Sequence, residues 1–299
     1  DAAAVDSIVI DELMYHPASE RTDEEYVELL NTGSAAVNLA GWRFSNGILF
    51  DFPAISLPGG AFLVVAADLA AFQARHPGVT NVIGGWRGAL SNRRENVDLD
   101  NALGERVDRV SYADEGDWAV RVRGPYDQGY YGWEWLATHD GGGKSLELRN
   151  PALPGNNGQN WASSLPDHGT PGQPNSTATN NLPPLILEVT HLPAIPNSTD
   201  AVAVFARIVD ELSSGLTVTL YHRNASSAAP LDFTATPMLD NGQSNDGGAG
   251  DGVYGVALPA QPNGTVTEFY VRAADAAGNV RTWPAAARQL DGSFAQTAN

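Results

Sequence analysis

The stretch Asp240–Gly252, DNGQSNDGGAGDG, gathers three carboxylates and two Asn amides on a glycine-rich segment. Calcium takes roughly six to eight hard oxygens, so Asp240, Asn241, Asp246 and Asp251 are candidate ligands, and calcium is the one cofactor the residues suggest. The spacing is not that of an EF-hand. Counting from Asp240, Gly242 and Ser244 stand at the third and fifth positions, Asn245 occupies the turn-glycine position, and Asp251 replaces the closing Glu. The alternative is a polar hairpin in which Asp and Asn cap their own turns. A second concentration is aromatic: Tyr126, Tyr130, Tyr131, Trp133 and Trp135. Flat exposed rings on a loop can stack on the apolar face of a sugar, which makes these five residues a candidate glycan platform. Against that, the alternation of Trp133 and Trp135 around Glu134 also fits a strand that buries both rings.

Catalytic constellations are harder to find. Asp23, Glu24, Glu25 and Glu28 invite comparison with a glycosidase pair, in which one carboxyl donates a proton while the other attacks or activates water. Period-two geometry sets Glu24, Tyr26 and Glu28 on one face and Glu25, Val27 and Leu29 on the other. The plainer role for Glu28 is a hydrogen bond to a neighbouring turn, and Asp11 and Glu12 carry the same ambiguity. The chain has no Cys, which removes thiol nucleophiles, disulfides and Cys-ligated metals. Gly143-Lys144-Ser145-Leu146-Glu147 lacks the closing glycine of a nucleophile elbow, and His16, His76, His139, His168, His191 and His222 include no pair at i,i+4. No residue is assigned a catalytic role, and the chain is read as non-enzymatic. Four N-x-[ST] sequons occur, at Asn175, Asn197, Asn224 and Asn263.

These groups must be held by a fold that turns often. Gly 31 and Pro 19 in 299 residues exceed the usual share, while 42% hydrophobic residues suffice for a core. A formal charge of -18 repels phosphate backbones and speaks against nucleic-acid partners. No apolar run approaches the roughly 18 residues needed to span a bilayer, so membrane insertion is not expected. In the first half, short apolar runs bounded by turn signals mark strands at 7–14, 25–30, 42–45, 48–52, 62–66, 96–100, 107–112, 118–122 and 145–148. One helix follows Asp68, with Leu69 and Phe72 on one face and Pro77-Gly78 as its stop. The second half shows seven strand candidates, at 185–190, 201–209, 216–222, 232–236, 253–258, 267–274 and 280–283. Seven strands in roughly a hundred residues suit an immunoglobulin- or fibronectin-like sandwich. Between the halves, GTPGQPNSTATNNLPP (169–184) offers little to pack.

The first half carries IVIDELMYHP (8–17), EEYVELLNTG (24–33), VNLAGWRF (37–44), FPAISLPGGAFLVVAAD (52–68), GKSLELRNP (143–151) and NWASSLPDHGTPGQPN (160–175). In these runs and in their order it resembles the lamin tail domain family. The resemblance implies an immunoglobulin-like, non-catalytic sandwich in which Trp42 and Trp161 are core. The second half is similar to immunoglobulin-like modules of bacterial multidomain proteins, on MLDNGQSNDGGAGDGVYG (238–255) and TEFYVRAADAAGNVRTWP (267–284).

The expectation is therefore an all-β chain of two β-sandwich domains: a lamin-tail-like sandwich at 1–172, a linker at 173–184, and a seven-stranded immunoglobulin/fibronectin-like sandwich at 185–299. Its expected role is structural, adhesive or in assembly, as part of a bacterial secreted or cell-surface protein with an extracellular location. The expected partner is a protein or glycan at the cell surface, or a further copy of the chain in a self-assembly. The alternative is a calcium-dependent carbohydrate-binding accessory module of a larger extracellular enzyme.

Overall fold

The computed structural model of the chain describes residues 7–128, 130–226, 232–244 and 246–299, with Tyr130 described in its backbone alone. The ring of Tyr130, one of the expected platform residues, and Asn245 of the acidic loop thus lie outside the described residues. The architecture is all-β, as the alternating apolar pattern requires. It divides into two compact units, Asp1–Val120 with Glu134–Asn180 and Arg121–Trp133 with Asn181–Asn299.

The first unit is built on a six-stranded sheet in the order Trp161–Ser163, Leu146–Leu148, Ile8–Met14, Tyr26–Asn31, Phe62–Ala66, Val82–Gly84. All neighbours are antiparallel except the last pair, Val64 opposite Val82, which is parallel. A second sheet runs Arg106–Ala113, Arg94–Asp100, Arg43–Asn46, Phe50–Asp51. The core lies between the sheets, where Ile10, Leu13, Val27, Leu29 and Leu63 of the first meet Phe44, Val97, Leu99 and Val110 of the second, with Trp42 and Trp161 buried among them. The opposite face of the larger sheet is covered too. Helix Leu69–Arg75 lays Phe72 against Met14, Tyr26, Val64 and Ala66. Asp68 caps that helix by accepting from Ala71 N at 2.8 Å, while Leu69 stays exposed and only Phe72 is buried.

Strict alternation breaks at Asp11. Ile8 and Ile10 face the inter-sheet core, the register with Tyr26–Asn31 shifts between Ile10 and Glu12, and beyond the shift Leu13 takes the core side. A β-bulge adds one residue to a strand and re-aims its neighbours. Asp11 and Glu12 both end up buried, in company with Glu28 and Glu147 of the two flanking strands.

Residues 173–184, whose composition marks a linker, are hydrogen-bonded in place along most of their length. Asn175 Nδ2 donates to the Asp11 and Leu148 carbonyls, both at 2.9 Å, and Thr179 N donates to the Arg149 carbonyl at 2.9 Å. Leu182 is buried, with its N–H on Glu211. The same Asn, Ser and Thr residues that supply no apolar surface supply N–H and O–H donors, and buried carboxylates need those.

In the second unit, strands Leu185–Leu192, Val202–Val209 and Val253–Leu258 form one sheet and Thr234–Pro237, Thr217–Asn224, Thr267–Ala274 and Val280–Trp283 the other. Ile186, Val204, Ala206, Val218, Leu220, Phe269 and Val271 fill the space between them. A further sheet joins the hairpin strands Val120–Asp127 and Tyr130–Leu136 to Ala287–Arg288 and Phe294–Ala295, with Val122 parallel to Arg288.

Candidate functional site

The hairpin at 120–136 carries the aromatic cluster. Tyr131, Trp133 and Trp135 alternate along the strand Tyr130–Leu136, so they share one side of it. Their exposures are 49%, 50% and 37%, and Tyr126 on the preceding strand is 63% exposed. The rings are therefore wet rather than buried. Tyr126 and Tyr131 approach to 4.9 Å between centroids at 59°, and the Arg123 guanidinium carbon lies 3.3 Å from the Tyr131 centroid. That cation–π contact and the flanking ring hold Tyr131 in one orientation, which lowers the entropy lost when a partner lands on it.

The acidic loop is organised around its own backbone. Asp246, buried, accepts from Asn241 N at 2.6 Å, Gly242 N at 2.9 Å and Ser244 N at 2.8 Å. Burial alone would raise its pKa, but these N–H donors outweigh that and hold it below the ordinary carboxylate value. Asp240 accepts from Gly250 N and Gly252 N, Asp251 accepts from Gly248 N and Val253 N, and Asn241 Oδ1 accepts from Gln243 N. Among the described residues, no group of three His, Asp or Glu side chains is placed to hold a metal ion. What the arrangement does is fix a long polar hairpin through Asx-type bonds. Replacing Asp246 by Ala removes three hydrogen bonds at once, and hydrogen exchange at the Asn241, Gly242 and Ser244 amides should accelerate. Asp240→Ala should instead accelerate Gly250 and Gly252.

The carboxylates of the first unit have structural partners. Glu24 pairs with Arg75 at 3.1 Å and Asp23 with Arg21 at 2.6 Å. Glu25 is buried and accepts from Leu90 N at 2.9 Å. Glu12 accepts from Ser145 Oγ at 2.5 Å, Tyr26 Oη at 2.8 Å and Thr170 N at 2.9 Å. Glu28 accepts from Gly172 N, the turn contact that the sequence favours for it. Glu147 gathers Thr170 Oγ1, Ser176 Oγ, Thr177 N and Thr177 Oγ1 at 2.9–3.0 Å. Residues 170–177 thus lie over a floor of carboxyl groups and feed it donors. The supply is incomplete: among the described residues, Asp11 Oδ2, Glu12 Oε2 and Glu28 Oε1 are buried without a hydrogen-bond partner, as is Glu25 Oε1 elsewhere in the unit.

Burial pushes Glu12 up to about 7 against the pull of its three donors. Glu25 rises to about 8 for the same reason. Burial together with repulsion from Glu12 takes Glu28 to about 10, and Asp11 is also raised, by burial and then by Glu12 and Glu147. In the sequence Asp11, Glu12 and Glu28 are possible acids or bases, and nothing near them joins them to Glu147. The signal that links them is the downstream run of Gly, Thr, Asn and Ser donors.

His139 is buried with Nδ1 on Tyr15 Oη at 2.7 Å and Nε2 on the Trp118 carbonyl at 2.9 Å, while Asp140 pairs with His16.

The lamin tail domain family model matches residues 1–114. That span contains four of the six strands of the large sheet and all four of the second. The two remaining strands, Leu146–Leu148 and Trp161–Ser163, complete the same sheet from beyond it. The lamin tail domain is an immunoglobulin-like, non-catalytic structural module, and no catalytic family is indicated. No curated protein matches the chain.

Proposed function

We propose that the chain is a pair of non-catalytic modules of a bacterial protein exported to the cell surface, that the second is an immunoglobulin- or fibronectin-like sandwich, and that the pair works in adhesion or assembly. The partner, a surface protein or glycan, meets the aromatic side of the hairpin at 120–136. The observation that supports this reading is the exposure of Tyr126, Tyr131 and Trp133 on one hairpin, with Tyr131 pinned by Arg123. Large rigid rings carry much of the energy of protein contacts at little entropic cost. Glycan is favoured as a second form of the same reading by the row of rings, since residues two apart on a strand stand about 7 Å from each other and repeat along one line. This reading uses the rings and leaves the acidic loop its structural role.

The test is co-sedimentation of the chain with peptidoglycan, chitin and cellulose, alongside analytical ultracentrifugation for self-association. Trp133→Ala should weaken whichever association is seen by at least about tenfold, equivalent to ~1.4 kcal/mol. Its unfolding free energy should change by no more than about 0.5 kcal/mol, because the ring is a surface group. Association that survives loss of both Tyr131 and Trp133 would refute the hairpin as the contact face.

A further inference from the structure

The two sheets of the second unit part at one end and leave a cavity of about 440 Å³. Its floor is the last inward layer of the sandwich, Val204, Leu258 and Phe269, and two imidazoles stand on its walls. His191 is opposite Val204 on one sheet and His222 is opposite Phe269 on the other, with the His191 ring edge-on to Phe269 at 6.4 Å. At the mouth, the exposed side chains of Asp232 and Asn263 have no partner among the described residues. A pocket of this size with an apolar floor and a few convergent polar groups has the general form of a small-ligand site.

We propose that this cavity binds a neutral ring bearing hydroxyl groups, with a pyranose at the end of a glycan as the ligand class. The site is distinct from the aromatic hairpin and does not depend on it. Charge excludes anions: Asp200 and Asp232 line the cavity, and its one guanidinium, Arg223, is held by Glu268 at 2.9 and 2.8 Å. Asp200 is itself engaged by the backbone and side-chain N–H groups of Asn197. A quaternary ammonium is recognised by a cage of open ring faces. Phe269, the one benzene or indole ring in the lining, is only 7% exposed. A wholly apolar ligand would strip water from Asp232 and Asn263 and return no hydrogen bond.

A pyranose meets each group with its complement. Its hydroxyls donate to the Asp232 carboxylate and both donate to and accept from the Asn263 amide, while its C–H face lies on the apolar floor. His222 supplies a further contact through Nδ1, since Nε2 is engaged with Thr236 Oγ1 at 3.2 Å. Burial keeps this imidazole below the ordinary histidine value, so at neutral pH it is uncharged and has one donor and one acceptor nitrogen.

The experiment is a titration of the full chain with glucose, galactose, mannose, N-acetylglucosamine and their β-linked disaccharides, followed through the imidazole resonances of His191 and His222. At least one sugar should shift both histidines saturably. Asp232→Ala and Asn263→Ala, each on an exposed loop, should weaken that binding at least tenfold with an unchanged melting temperature. Trp133→Ala should leave it unchanged, which separates this site from the hairpin. The proposal is overturned if no sugar gives a saturable shift, if acetate or tetramethylammonium binds in their place, or if the two variants bind as the parent does.

Discussion

Glu28→Gln should stabilise the protein at pH 8, by roughly 2–4 kcal/mol, and flatten its pH profile. Glu28 sits buried with Oε2 on Gly172 N, Oε1 unpartnered, and the carboxyl groups of Glu12 and Asp11 close enough to repel it. Burial and that repulsion hold its proton on up to about 10, whereas in the unfolded chain the group ionises near 4.5. Between those values the native state binds a proton that the unfolded state has released, so stability falls as pH rises through the window, by about 1.4 kcal/mol per pH unit for each such group. Glu12 and Glu25 act in the same direction up to about 7 and 8. Stability should therefore be greatest near pH 5 and decline into the alkaline range, and the excess of acidic residues pushes the same way. Glutamine keeps the shape and the acceptor for Gly172 N, cannot ionise, and turns an N–H₂ donor toward neighbours that lack one. Chemical denaturation of the parent and variant at pH 5, 7 and 8 reads both effects. Equal stabilities at pH 8 would show that Glu28 is not the proton-bearing group.

Gly169→Ala should cost roughly 3 kcal/mol or more and remove the cover from the carboxyl floor. Gly169 has φ +78°, and a Cβ there would run into the Glu12 carboxylate and the hydroxyls of Tyr26 and Ser145. These are the partners that make up the Glu12 site, so they cannot move aside without leaving a buried acid unsatisfied. Gly60 is the control. It has φ +72° with nothing within 4 Å of its added Cβ. Gly60→Ala should cost only the left-handed backbone term, about 1–2 kcal/mol. Denaturant midpoints of the two variants separate collision from backbone strain, and equal losses would show that residue 169 is not pressed against the floor.

The all-β architecture was legible because most strands advertise themselves twice, through alternation and through flanking Gly or Pro. Phe62–Ala66, Val253–Leu258, Thr267–Ala274 and Val280–Trp283 fall where the pattern places them. Where the pattern is silent, the reason is physical. Val37–Asn38, Ser56–Leu57, Ala287–Arg288 and Phe294–Ala295 are two-residue strands, too short to show a period. The strand expected at 118–122 begins at Val120 because Gly116–Trp118 forms a 3₁₀ turn. Period two also fails at Asp11, where the bulge allows two consecutive acids to be buried. Alternation placed Trp133 and Trp135 on one side of a strand but could not say which side is wet, since that depends on what covers the face. In the acidic loop, composition alone left two fates for Asp240, Asp246 and Asp251, and the backbone N–H groups that engage them arise from chain direction at Gly242, Gly248 and Gly250.

The cover over Glu12, Glu28 and Glu147 has a bearing on how the chain is made. Its donors come from residues 170–177, while the acids it serves on the first two strands are translated more than a hundred residues earlier. As the nascent chain leaves the ribosome, the large sheet must wait for more than a hundred residues of later sequence before that face is complete. Until then its acidic groups remain hydrated and ionised. Closure of that cover is therefore coupled to proton uptake, and its equilibrium is favoured as pH falls from the alkaline range toward the ordinary carboxylate values.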